Sequence, residues 1–174
     1  HYVMVDFDTF ERFIDAIGGV DVSLGEPIID HSYPTANFCV MSIRLPAGKQ
    51  HLDGERALWV ARSRRQSSDF SRMERQQQLV LAIRDQVVTL QMLPRVPQLY
   101  LEYRDAVKTD LALTDVIALA RDVAGIPPDR IRSGAIDQQH VARGTVNGDP
   151  FVLIPNRARI AALVNDLFAG QPAD

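Results

Sequence analysis

The stretch from Asp69 to Leu93 contains neither glycine nor proline and is stopped by Pro94, so it predicts one long helix. At about 100° between successive residues, Val80, Ile83, Val87 and Leu90 fall on one side and form the stripe expected to pack on a sheet. Asp69, Arg72 and Gln76 fall on that same side. The inward face of this helix therefore changes from apolar to Asp/Arg/Gln in its first two turns. An unpaired guanidinium is costly to bury, so these side chains predict either acidic partners or a polar pocket. The start of a helix also offers unpaired N–H groups and the positive end of a dipole, which suits an anion.

Around this helix the chain alternates between strand-like and helix-like periods. The alternation over Tyr2–Phe7 predicts a strand, and Asp8 with Glu11 predicts the capped start of a helix closed by Gly18-Gly19. Val20–Leu24 has the period of a strand. Two prolines and several polar residues make Gly25 to Asn37 a predicted loop, followed by a strand over Phe38–Leu45 and a turn at Pro46-Ala47-Gly48. Asp53 predicts the cap of a helix through Ala57, Leu58 and Ala61. Helices are further expected from Val96 to about Val107, from Thr114 to Gly125, and from Asn156 to Phe168. Ile131–Ile136 and Val141–Val146 predict a hairpin, with Phe151–Ile154 as a further strand. At 174 residues and 46% hydrophobic, the chain can bury one sizeable core. We read one α/β domain over residues 1–174, with no repeat and no dividing linker.

Charge is unevenly placed. The net charge is −3, yet six arginines (Arg56, Arg62, Arg64, Arg65, Arg72 and Arg75) stand against two acids, Asp69 and Glu74, within one short segment. Such clustering on an acidic background points to one anion-holding place and argues against a surface that clings to nucleic acid throughout. Arg62 and Arg64 are two apart; in an extended segment leaving a helix near Ala61 they share a face. Guanidinium groups converging on a helix start can clamp a phosphate or pyrophosphate. The bland alternatives are an N-cap at Asp69 paired with Arg72, a solvated Arg62/Arg64 run, and ordinary surface charges at Arg65 and Arg75. His31, His51 and His140 lack metal-ligand spacing, Gly18-Gly19 lacks a nucleotide-binding context, and Ser63, Ser67, Ser68 and Ser71 lack a nucleophile-elbow signature. Cys39 is the single cysteine, so no disulfide forms within the chain. No apolar run has the length of a membrane span.

Several motifs in one order carry a resemblance. Val5-Asp6-Phe7 precedes a helix, and Val20 follows Gly18-Gly19. Ala47-Gly48 leads to Leu52-Asp53-Gly54-Glu55 and Ala57-Leu58. Arg62-x-Arg64 is followed by Asp69-Phe70-x-Arg72-x-x-Arg75-Gln76-Gln77, with Thr109-Asp110-Leu111 downstream. This order resembles the LytR–CpsA–Psr (LCP) family over nearly the whole chain and most densely from Ala47 to Gln77. The resemblance implies an α/β/α domain with a mixed central β-sheet flanked by helices, outside the cytoplasmic membrane behind an N-terminal membrane helix. It implies a phosphotransferase that moves a glycopolymer phosphate from a polyprenyl-pyrophosphate carrier to a peptidoglycan or related acceptor.

On the same resemblance, Arg62, Arg64 and Arg72 bind the pyrophosphate, Gln76 adds a polar contact, and Asp69 orients the arginines, so that Arg62, Arg64, Asp69 and Arg72 form the expected catalytic set. A prenyl tail would occupy an apolar tunnel to which Val80, Ile83 and Val87 are candidate contributors, with ordinary core the competing reading for each. The chain starts at the family's Tyr-Val-x-Val-Asp-Phe strand. Further strands, an Arg-x-Asp-Thr-like motif and the carboxylates that help hold Mg²⁺ are expected upstream, so no metal ligand is assigned within the chain. Two other functions stay open: a polyprenyl-pyrophosphate-binding module without transfer activity and, ranked below it, a nucleic-acid-binding transcriptional attenuator.

Overall fold

A computed structural model describes residues 1–35, 37–63, 69–89, 93–127, 130–146 and 149–169. The chain divides into two compact units, His1–Pro127 and Pro128–Asp174. In the first, β1 (Val3–Met4) is followed by α1 (Phe7–Ala16), β2 (Val20–Leu24), β3 (Ile28–Pro34), β4 (Val40–Leu45) and β5 (Gly48–Leu52). Next come α2 (Gly54–Arg62), α3 (Asp69–Val87), α4 (Val96–Tyr103), β6 (Lys108–Thr109) and α5 (Leu113–Ala124). The second unit holds β7 (Val141–Val146), β8 (Asp149–Pro155) and α6 (Arg157–Phe168).

The class is α/β, as expected. Among the described residues, however, the strands form four antiparallel pairs, β1–β6, β2–β5, β3–β4 and β7–β8, with no parallel ladder between them. Alternation decides the faces: Val20, Val22 and Leu24 of β2 point inward between exposed Asp21 and Ser23. The segment expected as a loop is largely β3, because Ile28 and Asp30 continue the same alternation. The pairing of β3 with β4 then shifts between Asp30 and Tyr33. An added residue in one strand turns the next side chain over, so Tyr33 is buried rather than Ser32.

The core of the first unit gathers Ile14 and Ile17 near α1, Val20 and Leu52 from paired strands, Ala57 and Val60 from α2, and Leu79 from α3. Two close approaches position α2. Gly18 and Gly19 both take positive φ, 88° and 84°, which lets the chain leave α1 sharply for β2. Gly54 begins α2 directly on α1: its N–H donates to the Asp15 carboxylate at 2.8 Å. A Cβ built there would overlap Glu11 backbone, with the carbonyl carbon at 2.6 Å and Cα at 2.7 Å. Backbone cannot rotate aside as a side chain can. Gly54→Ala is therefore expected to destabilise the fold by about 1–3 kcal/mol, read from the midpoint of urea unfolding. An unchanged midpoint would show that the two helices separate freely.

Several expected boundaries move. The α1 cap is Asp6, whose carboxylate accepts from Thr9 N–H at 2.7 Å, in place of Asp8. Ala112 rather than Thr114 precedes α5, and Asp115 accepts from its N–H at 2.9 Å. Residues 131–136 form no strand, and β7 pairs with β8 instead. In the second unit, Gly134 sits against Leu163 and Leu167 of α6. Arg132 donates to the Asp166 and Ala169 carbonyls at that helix's end, at 3.1 and 3.0 Å.

The inward stripe of α3 also differs from expectation. Leu79 is 3% exposed whereas Val80 is 64% exposed. Ile83 and Val87 are partly buried against the core together with Ala82, and Leu90 lies outside the described residues. The expected stripe therefore holds at Ile83 and Val87 and fails at Val80, whose place on the buried face is taken by Leu79.

Candidate functional site

The end of α2 is where the clustered arginines begin. Arg62 is the last helical residue, and Ser63 follows at φ −58° and ψ 134°, so the chain leaves in an extended direction. The Arg62 guanidinium carbon lies 4.0 Å from the Phe7 ring centroid and 5.3 Å from that of Tyr33. Electron-rich ring faces attract a cation at these distances. Tyr33 is itself placed by the register shift in β3 and packs edge-on to Trp59 at 6.4 Å.

The carbonyls at a helix end have no intrahelical partners. Here α3 supplies them. Arg75 donates to the Ser63 carbonyl at 2.7 Å and to the Val60 carbonyl at 3.4 Å, and Gln76 donates to the Ala61 carbonyl at 2.9 Å. Arg75 was expected to be a solvated charge; it is instead half-buried and structural. Burial pulls its pKa below the usual arginine value, with the neighbouring Arg72 charge acting in the same direction and Glu74 opposing it. A guanidinium still stays protonated, and a cation at a helix C-terminus meets the negative end of the dipole.

Ser63 turns inward. It is 3% exposed, and its hydroxyl donates to the Asp30 carboxylate at 3.1 Å. Asp30 is equally buried, and its other oxygen accepts from Ser32 N–H at 3.0 Å. Around Arg62 the field is mixed. The Glu11 pKa is raised by burial and by repulsion from Asp8, Glu55 and Asp15, against the pull of Arg62. Burial also raises Tyr33, again opposed by Arg62. The Tyr33 hydroxyl is buried and has no hydrogen-bond partner among the described residues.

A cavity of about 260 Å³ lies alongside the exit segment, between the β2–β3 connection and the first turns of α3. Glu26, Ser63, Ser71, Glu74, Arg75 and Gln78 give it a polar lining. Arg72 is partly buried on α3 beside Arg75. Asp69 opens α3, but its side chain, like Arg64 and Arg65, lies outside the described residues. Among the described residues no group of three or more His, Cys, Asp or Glu could hold a metal ion. No described helix is long and apolar enough to cross a membrane. His31 contacts Ser42, His51 contacts Asp21 and His140 contacts Asp137, each locally.

The expected site residues therefore divide. Arg62, Arg72 and Gln76 flank the α2–α3 junction, with Gln76 bound to α2. The sequence reading missed Asp30, Ser63, Tyr33 and Arg75 as parts of the same structure. Only Arg75 carried a local signal, a position one turn before Leu79 on the buried side of α3.

The framework that carries the α2–α3 junction has known counterparts. The chain belongs to the LytR_cpsA_psr family, whose family model matches residues 1–168. It is 29% identical over 148 residues to the Bacillus subtilis polyisoprenyl-teichoic acid–peptidoglycan teichoic acid transferase TagV, covering 84% of this chain and 37% of that protein. It is 28% identical over 171 residues to the Halalkalibacterium halodurans transferase of the same description, TagU, covering 96% and 51%. The chain thus spans about half or less of the length of these relatives. The crystal structure of B. subtilis TagV superposes with a TM-score of 0.68 at 24% identity, covering 98% of this chain and 65% of that one, which shows the shared fold.

Proposed function

We propose that the full-length protein is a cell-envelope phosphotransferase. It moves a glycopolymer phosphate from a polyprenyl-pyrophosphate carrier to peptidoglycan or a related acceptor. Membership of the family and the transferase names of the relatives support this reading. The observation that carries it at the level of residues is the α2–α3 junction, where Arg62 leaves a helix end braced by Arg75 and Gln76.

In the proposed reaction an acceptor hydroxyl oxygen attacks the phosphorus that bears the glycopolymer. A new P–O bond forms, and the bridging P–O bond breaks. The prenyl phosphate leaves with that bond's electron pair, and the hydroxyl proton passes to solvent or a nearby base. Negative charge grows on the leaving phosphate, where fixed guanidinium groups can stabilise it. Arg62, Arg64 and Arg72 are assigned to the pyrophosphate, Gln76 to a polar contact at its edge, and Asp69 to orienting the arginines. Ile83 and Val87, with Val80, remain the candidates for apolar contact with the prenyl tail. The Mg²⁺ implied by the family resemblance is assigned to ligands outside the described residues, and no step here runs through it. An extracytoplasmic, membrane-anchored location follows from the same proposal, because carrier and acceptor both lie there.

The test is transfer by the full-length protein, supplied with a prenyl-pyrophosphate-linked glycan, Mg²⁺ and peptidoglycan. Release of prenyl phosphate together with labelled peptidoglycan is the expected result. Donor binding without release would leave a binding module. Affinity for duplex DNA that falls steeply with salt, in place of donor binding, would favour a nucleic-acid regulator.

A further inference from the structure

We infer that Asp30 and Ser63 are positioning residues that aim Arg62 at the end of α2. This rests on the proposed pyrophosphate site and deepens it. Ser63 follows Arg62 directly and turns into the protein, 3% exposed. A hydroxyl and a carboxylate are costly to bury unless they satisfy each other. Their 3.1 Å hydrogen bond therefore selects one direction for the chain as it leaves α2. Arg75 fixes the same residue from the other side through its carbonyl, at 2.7 Å. The residue that follows Arg62 is thus held at both its side chain and its carbonyl.

Asp30 acts on Arg62 by a second route. Its remaining oxygen accepts from Ser32 N–H at 3.0 Å, inside the register shift of β3. That shift turns Tyr33 inward, to 5.3 Å from the Arg62 guanidinium carbon. One buried carboxylate therefore governs both the backbone that carries Arg62 and the ring beside its guanidinium. Asp30 and Ser63 need not touch the substrate; they act through Arg62.

The experiment measures transfer by the full-length protein with the donor and acceptor above, alongside thermal melting and calorimetric binding of inorganic pyrophosphate. The variants are Ser63→Ala, Ser63→Thr, Asp30→Asn and, as controls for the site itself, Arg62→Ala and Arg64→Ala. Small displacements of positioned groups cost about a hundredfold in rate. Ser63→Ala and Asp30→Asn are thus expected to lose about tenfold to a hundredfold in kcat and kcat/KM together, well below their melting temperatures, with Ser63→Thr restoring most of the loss. Ser63→Cys, which keeps the volume and weakens the hydrogen bond, replaces Ser63→Ala if that variant does not fold. Normal turnover per folded molecule, with only the melting temperature lowered, would reduce Asp30 and Ser63 to structural residues and overturn the inference. If the arginine variants also transfer and bind pyrophosphate normally, the site reading itself falls and takes the inference with it. Impaired arginine variants beside unimpaired Ser63 and Asp30 variants would sink the inference alone.

Discussion

Leu79→Ala should lower unfolding free energy by about 2–5 kcal/mol, whereas Val80→Ala, one residue on, should change it by about 0.5 kcal/mol or less. Leu79 is 3% exposed and belongs to the main core, so truncation leaves a cavity among side chains that cannot fully collapse. Val80 is 64% exposed and loses little packing when shortened. Urea unfolding of the two variants, fitted with a common slope, measures the difference directly. A larger loss at Val80 than at Leu79 would return α3 to the register suggested by its apolar spacing. The comparison is sensitive because a one-residue change turns a helix face through about 100°.

That spacing placed Ile83 and Val87 on the core side but misplaced Val80, for a physical reason. The buried side of α3 is only partly apolar. Gln86 donates to the Ile17 carbonyl at the end of α1, at 2.7 Å. Arg75 and Gln76 cover the end of α2, and Arg84 donates to the carbonyls of Val123, at 3.1 Å, and Ile126 at the end of α5. One helix thus satisfies the exposed carbonyls of three others. An apolar stripe cannot reveal such a helix, since its inward polar residues are called for by partners distant in sequence. The sequence also showed the arginines as a charge cluster without distinguishing Arg75, which holds the fold, from Arg62, which stands at the exit of α2.

Local signals were legible where one short segment decides the outcome. Asp53 caps α2, accepting from Arg56 N–H at 2.9 Å, and Asn156 caps α6. The paired glycines end α1 with positive φ. The family resemblance rested on Asp53-Gly54-Glu55, and the structure supplies a reason for its glycine in the contact with Glu11. Strand β3 was hidden because Pro27 and Pro34 at its ends look like loop residues, and its irregular register breaks a strict period of two. Asp30 and Ser63 are 33 residues apart, and neither has a local pattern that announces the other. Their pairing becomes visible only when β3 and the end of α2 meet.

Arg62→Lys should slow transfer by about a hundredfold to a thousandfold while changing stability much less. Lysine keeps the charge but loses the planar two-point contact with phosphate oxygens. Losing one fixed donor to developing negative charge typically costs about 2.7–4 kcal/mol of transition-state stabilisation. The stability change has a separate source, the stacking of the guanidinium over Phe7 at 4.0 Å and its approach to Tyr33. A partly exposed cation–π contact contributes about 0.5–1 kcal/mol, which for a chain of this size moves the melting temperature by only about 1–4 °C. In the proposed site those rings would hold the guanidinium ready before substrate arrives, so Phe7→Leu should reduce kcat in the same direction and to a smaller extent. The decisive measurement sets transfer rates beside melting curves for Arg62→Lys and Arg64→Ala in the full-length protein. Near-normal transfer in both would remove these arginines from the mechanism. A rate loss that tracks the melting temperature would make Arg62 a support of the α1–α2 packing, whereas a large rate loss in a folded protein leaves its guanidinium at the reacting phosphates.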